Sequence, residues 1–229
     1  MKNKRMKYIW AAAALLLPLT LLLQHVFAKD SGKIAYITFD DGPTLNTPDI
    51  VKTLEEYNAK ATFFVLEERI VMYPDFIKQI EHSGSALGLH GVSHSEAIYY
   101  TATSPLEEME KTNKALKSVL GKGSKLVRVP FGSSYRLTKQ QADILKKNGY
   151  IIWDWNVDPR DSVGTIVPER VMANLRRDLI RCTTSPVILL HDRKSTAKLL
   201  PHILKYLSDE GYTMMPISEK QTAYNFVKK

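Results

Sequence analysis

The chain has 229 residues, enough to bury a sizeable core as one large domain or two small ones. At 44% hydrophobic and 24% charged, its composition excludes a disordered chain. The net charge of +8 does not point to nucleic acid, because Lys2, Lys4, Arg5 and Lys7 supply half of it from a segment without acids, and no polybasic run follows.

Those four cations precede a largely apolar run over 8–23, and Val26-Phe27-Ala28 then forms a small-x-small cleavage pattern. Residues 1–28 are expected to be a secretory signal peptide cut after Ala28, with an uncleaved membrane anchor as the alternative. The run falls short of the ~20 residues that span a bilayer, which favours cleavage. The mature domain is expected over 29–229, with its core over 34–217, in a secreted or cell-wall-associated protein. Cys182 is the only cysteine, so no intramolecular disulfide can form, and a buried thiol is the expected role.

The segment 33–37 is apolar and β-branched and predicts a strand that ends on Asp40-Asp41, with Gly42-Pro43 turning the chain away. Thr47 as N-cap and Pro48 at the first helical position begin a helix over 47–58. A strand follows at 61–65, a helix from Tyr73-Pro74-Asp75 to near Gly84, and a strand at 85–89. Ser104-Pro105-Leu106-Glu107 reads as a capping box opening a helix to 120. Next come a strand at 125–129, a helix from Thr138 closed by Asn148-Gly149, and a strand at 150–157. A helix over 168–181, a strand at 187–190, a helix over 198–208 and a strand at 212–217 complete the pattern. Alternating units of this length imply an α/β fold with about seven parallel strands. A barrel and an open doubly wound sheet both satisfy that count.

The polar residues cluster at the predicted strand ends. Asp40 and Asp41 end the first strand, His90 follows the third, Arg128 and Pro130 close the fourth, Asp158 and Asp161 follow the fifth, and His191 follows the sixth. Parallel α/β folds gather these ends on one face, where active sites are built. Successive strand residues point to opposite faces, so Asp40 and Asp41 are expected to diverge, one toward a metal and one free as a base. His90 and His94 stand four residues apart, a spacing that on a helical turn places both imidazoles on one face. With a carboxylate they make a two-histidine, one-acid set, which suits zinc or non-haem iron(II). His82 sits at a predicted helix end and His202 on an exposed helix face, so neither is assigned a role. Trp153 and Trp155 share a predicted strand face and are expected in the core, with a platform for a ligand as the alternative. Asn156 and Asp158 are candidates for the rim, and Tyr99, Tyr100 and Tyr135 for stacking on a ligand.

Thr38-Phe39-Asp40-Asp41-Gly42-Pro43, His90 with His94, Arg128-Val129-Pro130-Phe131-Gly132, Asp158 to Asp161, and Leu189-Leu190-His191 occur in the order of the polysaccharide deacetylase family. This family is also known as carbohydrate esterase family 4, or the NodB homology domain. The resemblance spans 34–217. It implies a distorted (β/α) barrel of about seven parallel strands and metal-dependent removal of N-acetyl groups from sugar polymers. By position, Asp41, His90 and His94 match the metal ligands, Asp40 the catalytic base and His191 the catalytic acid. Arg128 matches the residue that holds the base, and Asp161 the one that orients the acid. The backbone N–H of Phe131 matches the oxyanion donor. The implied cofactor is one divalent ion, zinc first, with cobalt, manganese, nickel and iron(II) left open. The implied partner is an N-acetylated glycan: peptidoglycan, a chitin-like oligomer or an exopolysaccharide.

Three positions depart from the family pattern. Gly91 replaces a Ser or Thr, so Ser93 is a candidate substitute support for that loop. Phe131 replaces a Tyr, and Ser162 replaces a Trp that commonly walls the acetyl pocket. Two other functional classes compete with this one. A glycosidase needs carboxylates about 5–5.5 Å or 6.5–9.5 Å apart across a bond, which adjacent aspartates serve poorly. A wall-binding protein with a decayed site would release no acetate.

Overall fold

The structure, a computed structural model, describes residues 32–134 and 136–227. The expected signal segment and Tyr135 lie outside the described residues. Seven parallel strands form one sheet: β1 (Lys33–Gly42), β2 (Ala61–Val65), β3 (Ala86–Leu89), β4 (Leu126–Val127), β5 (Ile151–Ile152), β6 (Val187–His191) and β7 (Tyr212–Met214). Between them run helices α1 (Thr47–Glu56), α2 (Glu67–Met72), α3 (Pro74–His82), α4 (Ser104–Leu120), α5 (Lys139–Lys147), α6 (Pro168–Arg181) and α7 (Lys194–Asp209). The strand order is β5-β4-β3-β2-β1-β6, and β7 pairs with the first residues of β1. Beyond β5 the chain swings round to β6: Val157 bridges Ile188, and Leu189 N–H donates to the Val157 carbonyl at 2.9 Å. The sheet therefore curls into a distorted (β/α) barrel rather than an open sheet.

Strand alternation divides the core in two. Ile37, Phe39, Phe63, Val65, Ile188 and Leu190 pack outward with the helices in the larger cluster. Tyr36, Phe64, Leu126, Trp153 and Val187 form a smaller one, and the fully buried Arg128 lies with its guanidinium 4.2 Å over the Phe64 ring. Charge thus enters the barrel interior at its C-terminal end, where the rim residues begin.

Several local expectations needed correction. Asn46, not Thr47, is the N-cap of α1, because Thr47 Oγ1 is committed to Asp192 at 2.5 Å. Ser104 is the first residue of α4 behind an N-cap at Thr103, and its hydroxyl bonds Thr101 instead of capping the helix. The capping box occurs at Thr138 and Gln141 of α5. β4 and β5 are two residues each, since the chain leaves the ladder there to bend around the rim. α7 begins at Lys194, directly behind the rim, and carries Pro201 within it. The short α2 and a 3-10 turn at Glu96–Tyr99 were not anticipated. Among the described residues no helix is long and apolar enough to cross a membrane.

Candidate active site

Asp40 stands at the interior end of β1, only 4% exposed, and the Arg128 guanidinium fixes it. Arg128 Nη1 donates to Asp40 Oδ1 at 2.9 Å and to Thr38 Oγ1 at 2.6 Å; Nη2 and Nε donate to the carbonyls of Asp154 and Trp153 at 3.0 and 3.3 Å. A buried carboxylate beside a buried cation whose three nitrogens are all hydrogen-bonded keeps one orientation.

Asp41 is the next residue, and strict alternation would aim it away. Its φ of 69° and a register shift between Asp40 and Gly42 re-aim it over the rim. Both carboxylates therefore approach His90 Nε2, Asp41 Oδ1 at 3.5 Å and Asp40 Oδ2 at 3.7 Å. Their other partners do diverge: Asp40 faces Arg128, whereas Asp41 Oδ1 lies 3.7 Å from His94 Nε2 and its Oδ2 3.6 Å from Arg193. The residues 90–94 form a loop, not the expected helical turn, with Gly91 at φ 93° and His94 at φ 58°.

Asp41, His90 and His94 bring one ligating atom each to within 4.8 Å of one another. Asp41 Oδ1 is buried without a hydrogen-bond partner among the described residues. Ligands about 2.0–2.2 Å from a tetrahedral ion are separated by about 3.3–3.6 Å, close to the two distances from Asp41 Oδ1. His90 Nδ1 sits 2.6 Å from the Arg128 carbonyl, which accepts its proton and leaves Nε2 toward the cluster. The three residues thus fit one divalent ion. Burial alone would raise the Asp41 pKa, but the imidazoles around it, His90 first and then His191 and His94, hold it well below the usual range. Burial opposes a charge on His90 too, yet the Asp40 and Asp41 carboxylates raise its pKa; burial and the nearby His90 lower that of His94.

On the other side of the rim, His191 Nδ1 and N–H meet Asp161 Oδ1 and Oδ2, each at 2.8 Å. Thr196 Oγ1 donates to the same Oδ2 at 2.5 Å. Burial would lower the His191 pKa, but hydrogen bonding and charge from Asp161, supported by Asp40 and Asp41, raise it. Its Nε2 faces the site, 3.5 Å from Ser162 Oγ.

Phe131 is 47% exposed, has φ 63°, and sets its ring edge-on against His94 at 4.4 Å, so the aromatic side chain walls the histidine cluster. Ser93 is exposed, and the 90–94 loop is held from two helices: Glu108 Oε2 on α4 accepts from Val92 N–H at 2.6 Å and lies 3.2 Å from where a Gly91 side chain would begin, and the Glu67 and Glu68 N–H groups of α2 donate to the Gly91 and Val92 carbonyls. Tyr99 is a strut, its hydroxyl on the Pro130 carbonyl, while Tyr100 is 80% exposed. Asn156 leaves the rim to hold Thr184, Ser185 and Val187. Asp158 accepts from Arg160 N–H at 2.8 Å and shapes the Asp161 loop; burial raises its pKa. Trp153 is buried as expected, whereas Trp155 and Cys182 are only half-buried.

Sequence reasoning missed Glu108, Arg193 and Asp192. Asp192 accepts from Thr44 Oγ1 at 2.7 Å and Thr47 Oγ1 at 2.5 Å, which ties β6 to the turn after β1. Its place after His191 was visible, but its partners lie almost 150 residues away in the chain.

A (β/α) barrel with a histidine–carboxylate cluster, a separately clamped carboxylate and an acid-supported imidazole on one rim defines an α/β-barrel hydrolase. A family model for polysaccharide deacetylases matches residues 28–152, and the chain belongs to that family. YheN of Bacillus subtilis, named as a polysaccharide deacetylase, is 36% identical over 212 residues, spanning 87% of this chain and 75% of its own. A peptidoglycan-N-acetylglucosamine deacetylase of Bacillus cereus is 33% identical over 184 residues, spanning 79% and 67%. Among solved structures, the polysaccharide deacetylase Bc1974 from Bacillus cereus superposes with a TM-score of 0.76 at 31% identity, covering 85% of this chain and 97% of that one.

Proposed function

We propose that this protein hydrolyses the N-acetyl groups of N-acetylglucosamine units in peptidoglycan, outside the cell, with one divalent metal. The observation that carries the reading is the division of labour between adjacent aspartates: Asp41 faces two imidazoles, while Asp40 is held apart by Arg128 at 2.9 Å. Asp41, His90 and His94 would hold the ion, zinc by the fit of two imidazoles and a carboxylate. When bound, it supplies Lewis-acid polarisation of the acetyl carbonyl and a more acidic water.

Asp40 takes the proton from the attacking water, and Arg128 keeps that carboxylate aimed. The developing oxyanion accepts a hydrogen bond from the Phe131 N–H, one such donor being worth about 3–4 kcal/mol. His191 gives its proton to the departing nitrogen as the C–N bond breaks, leaving acetate and a free amine. Asp161 favours the imidazolium required for that step. Ser162, small where the family usually has Trp, widens the wall beside His191.

Relatives named as peptidoglycan-N-acetylglucosamine and peptidoglycan-N-acetylmuramic acid deacetylases support peptidoglycan as the polymer. The expected secretory segment supports action on the wall, where free amines would alter susceptibility to lysozyme-like hydrolases. The test is acetate release from peptidoglycan, chitin oligomers and an acetylated exopolysaccharide, with and without chelator, for the wild type and Asp40→Asn. Release from peptidoglycan that chelator and Asp40→Asn both abolish is expected. A metal-free protein inert on all three polymers would instead make it a binding protein.

A further inference from the structure

The Asp154 carboxylate is fully buried and takes no part in the chemistry above, yet two distant segments meet on it. Oδ1 accepts from Ser133 N–H at 2.9 Å, and Oδ2 accepts from Ser133 Oγ at 2.5 Å and from Phe226 N–H at 2.7 Å. Its backbone is equally committed. The carbonyl accepts from Arg128 Nη2 at 3.0 Å, and the N–H donates to the Tyr224 carbonyl at 2.7 Å. The tail adds Asn225 Nδ2 on the Ile152 carbonyl at 3.3 Å and Phe226 edge-on to Trp155 at 5.4 Å.

Ser133 closes the turn Phe131-Gly132-Ser133, in which Phe131 and Gly132 both have left-handed φ, 63° and 79°. A non-glycine residue in that region is strained and persists only where its surroundings hold it. Gly132 leaves no slack on the inner side, since a side chain there would begin 2.9 Å from the Trp155 ring. Three donors converge on one side chain, and a carboxylate can accept them all. An amide offers one accepting oxygen and would set an NH2 against one of the donors.

We infer that Asp154 is a positioning residue: it clamps the turn that carries the Phe131 N–H, and through Tyr224 and Phe226 it makes the C-terminal tail a strap of the active site. The same residue holds this turn by its side chain and Arg128 by its carbonyl, so the base and the oxyanion donor are referenced to one point. The inference rests on the reading of Phe131 as oxyanion donor.

The test compares the wild type with Asp154→Asn, Ser133→Ala and a chain ended at Ala223. Asp154→Asn and the shortened chain should lose about tenfold to a hundredfold in kcat, the scale of a misplaced catalytic group, with KM and metal content kept. Affinity for a tetrahedral methylphosphonate analogue of the substrate should fall in parallel, and Ser133→Ala, which keeps the backbone bond, should lose only several-fold. Variants that melt earlier but keep wild-type kcat and phosphonate affinity would overturn the inference. Hydrogen exchange at the amides of 131–133 reads the clamp without turnover. Faster exchange in Asp154→Asn is expected, and unchanged protection overturns the clamp even if the wild type is inert on every polymer. Should the shortened chain not fold, Asp154→Asn carries the same comparison.

Discussion

Replacing Arg128 with methionine should expose how tightly the base is held. At 2.9 Å and an effective dielectric of ~20, two unit charges attract by ~6 kcal/mol. Desolvation of both groups offsets part of this, and removing one partner of such a buried pair costs about 3–5 kcal/mol. Arg128→Met also strips donors from the Trp153 and Asp154 carbonyls, so the loss should lie at the upper end. Asp40→Asn leaves Arg128 its other three acceptors but strands a fully buried cation, so it should cost about 3 kcal/mol, the lower end of that range. In the double variant the stranded carboxylate is gone, so its cost should fall below the sum of the singles by roughly 2 kcal/mol. Urea unfolding followed by tryptophan fluorescence, with the slopes checked for constancy, gives all four corners of the cycle. Additivity within ~0.5 kcal/mol would show that Arg128 and Asp40 do not act as a pair, and the placement of the base would need another explanation.

Three further outcomes follow from the site. The proposed acid must carry its proton, so kcat/KM should fall as pH rises through the raised His191 pKa; Asp161→Asn removes the main support of the imidazolium and should move that alkaline limb to lower pH. An unmoved limb would separate Asp161 from the acid. Glu108→Ala should weaken metal affinity about tenfold to a hundredfold by freeing Val92 N–H and the 90–94 loop, whereas Glu108→Gln should keep most of it, both measured by competition with a chromogenic chelator. Asp41→Asn and His94→Ala should each reduce metal content well below one ion per chain while leaving the fold intact by circular dichroism; full occupancy in either would remove that residue from the ligand set.

The rhythm of apolar runs and helix starts made the α/β class and all seven strands legible. The polar residues behind them made the rim legible too, because a parallel sheet brings every strand's C-terminal end to one face. What stayed hidden depends on local backbone geometry or on contacts distant in sequence. No pattern announces the left-handed φ of Asp41, which overrides alternation and lets neighbouring carboxylates meet one imidazole. The spacing of His90 and His94 suggested a helical turn, but Gly91 breaks it, and the loop works because Glu108, from a different helix, holds it. β4 and β5 ran short because continuous apolar sequence does not reveal where a chain leaves its ladder to round a rim. Asp154 did leave a trace: an acid between Trp153 and Trp155, directly behind an apolar run, is a candidate for burial with partners.

The central claim is that one cation sits between Asp41, His90 and His94 while Asp40 beside it stays unligated. A crystal structure of the zinc-loaded protein, with anomalous differences collected at the zinc edge, tests this directly. The expected result is one strong peak bonded to Asp41 and to Nε2 of both histidines, with Asp40 still on Arg128. A peak held by Asp40, or none at the three ligands, would contradict the account.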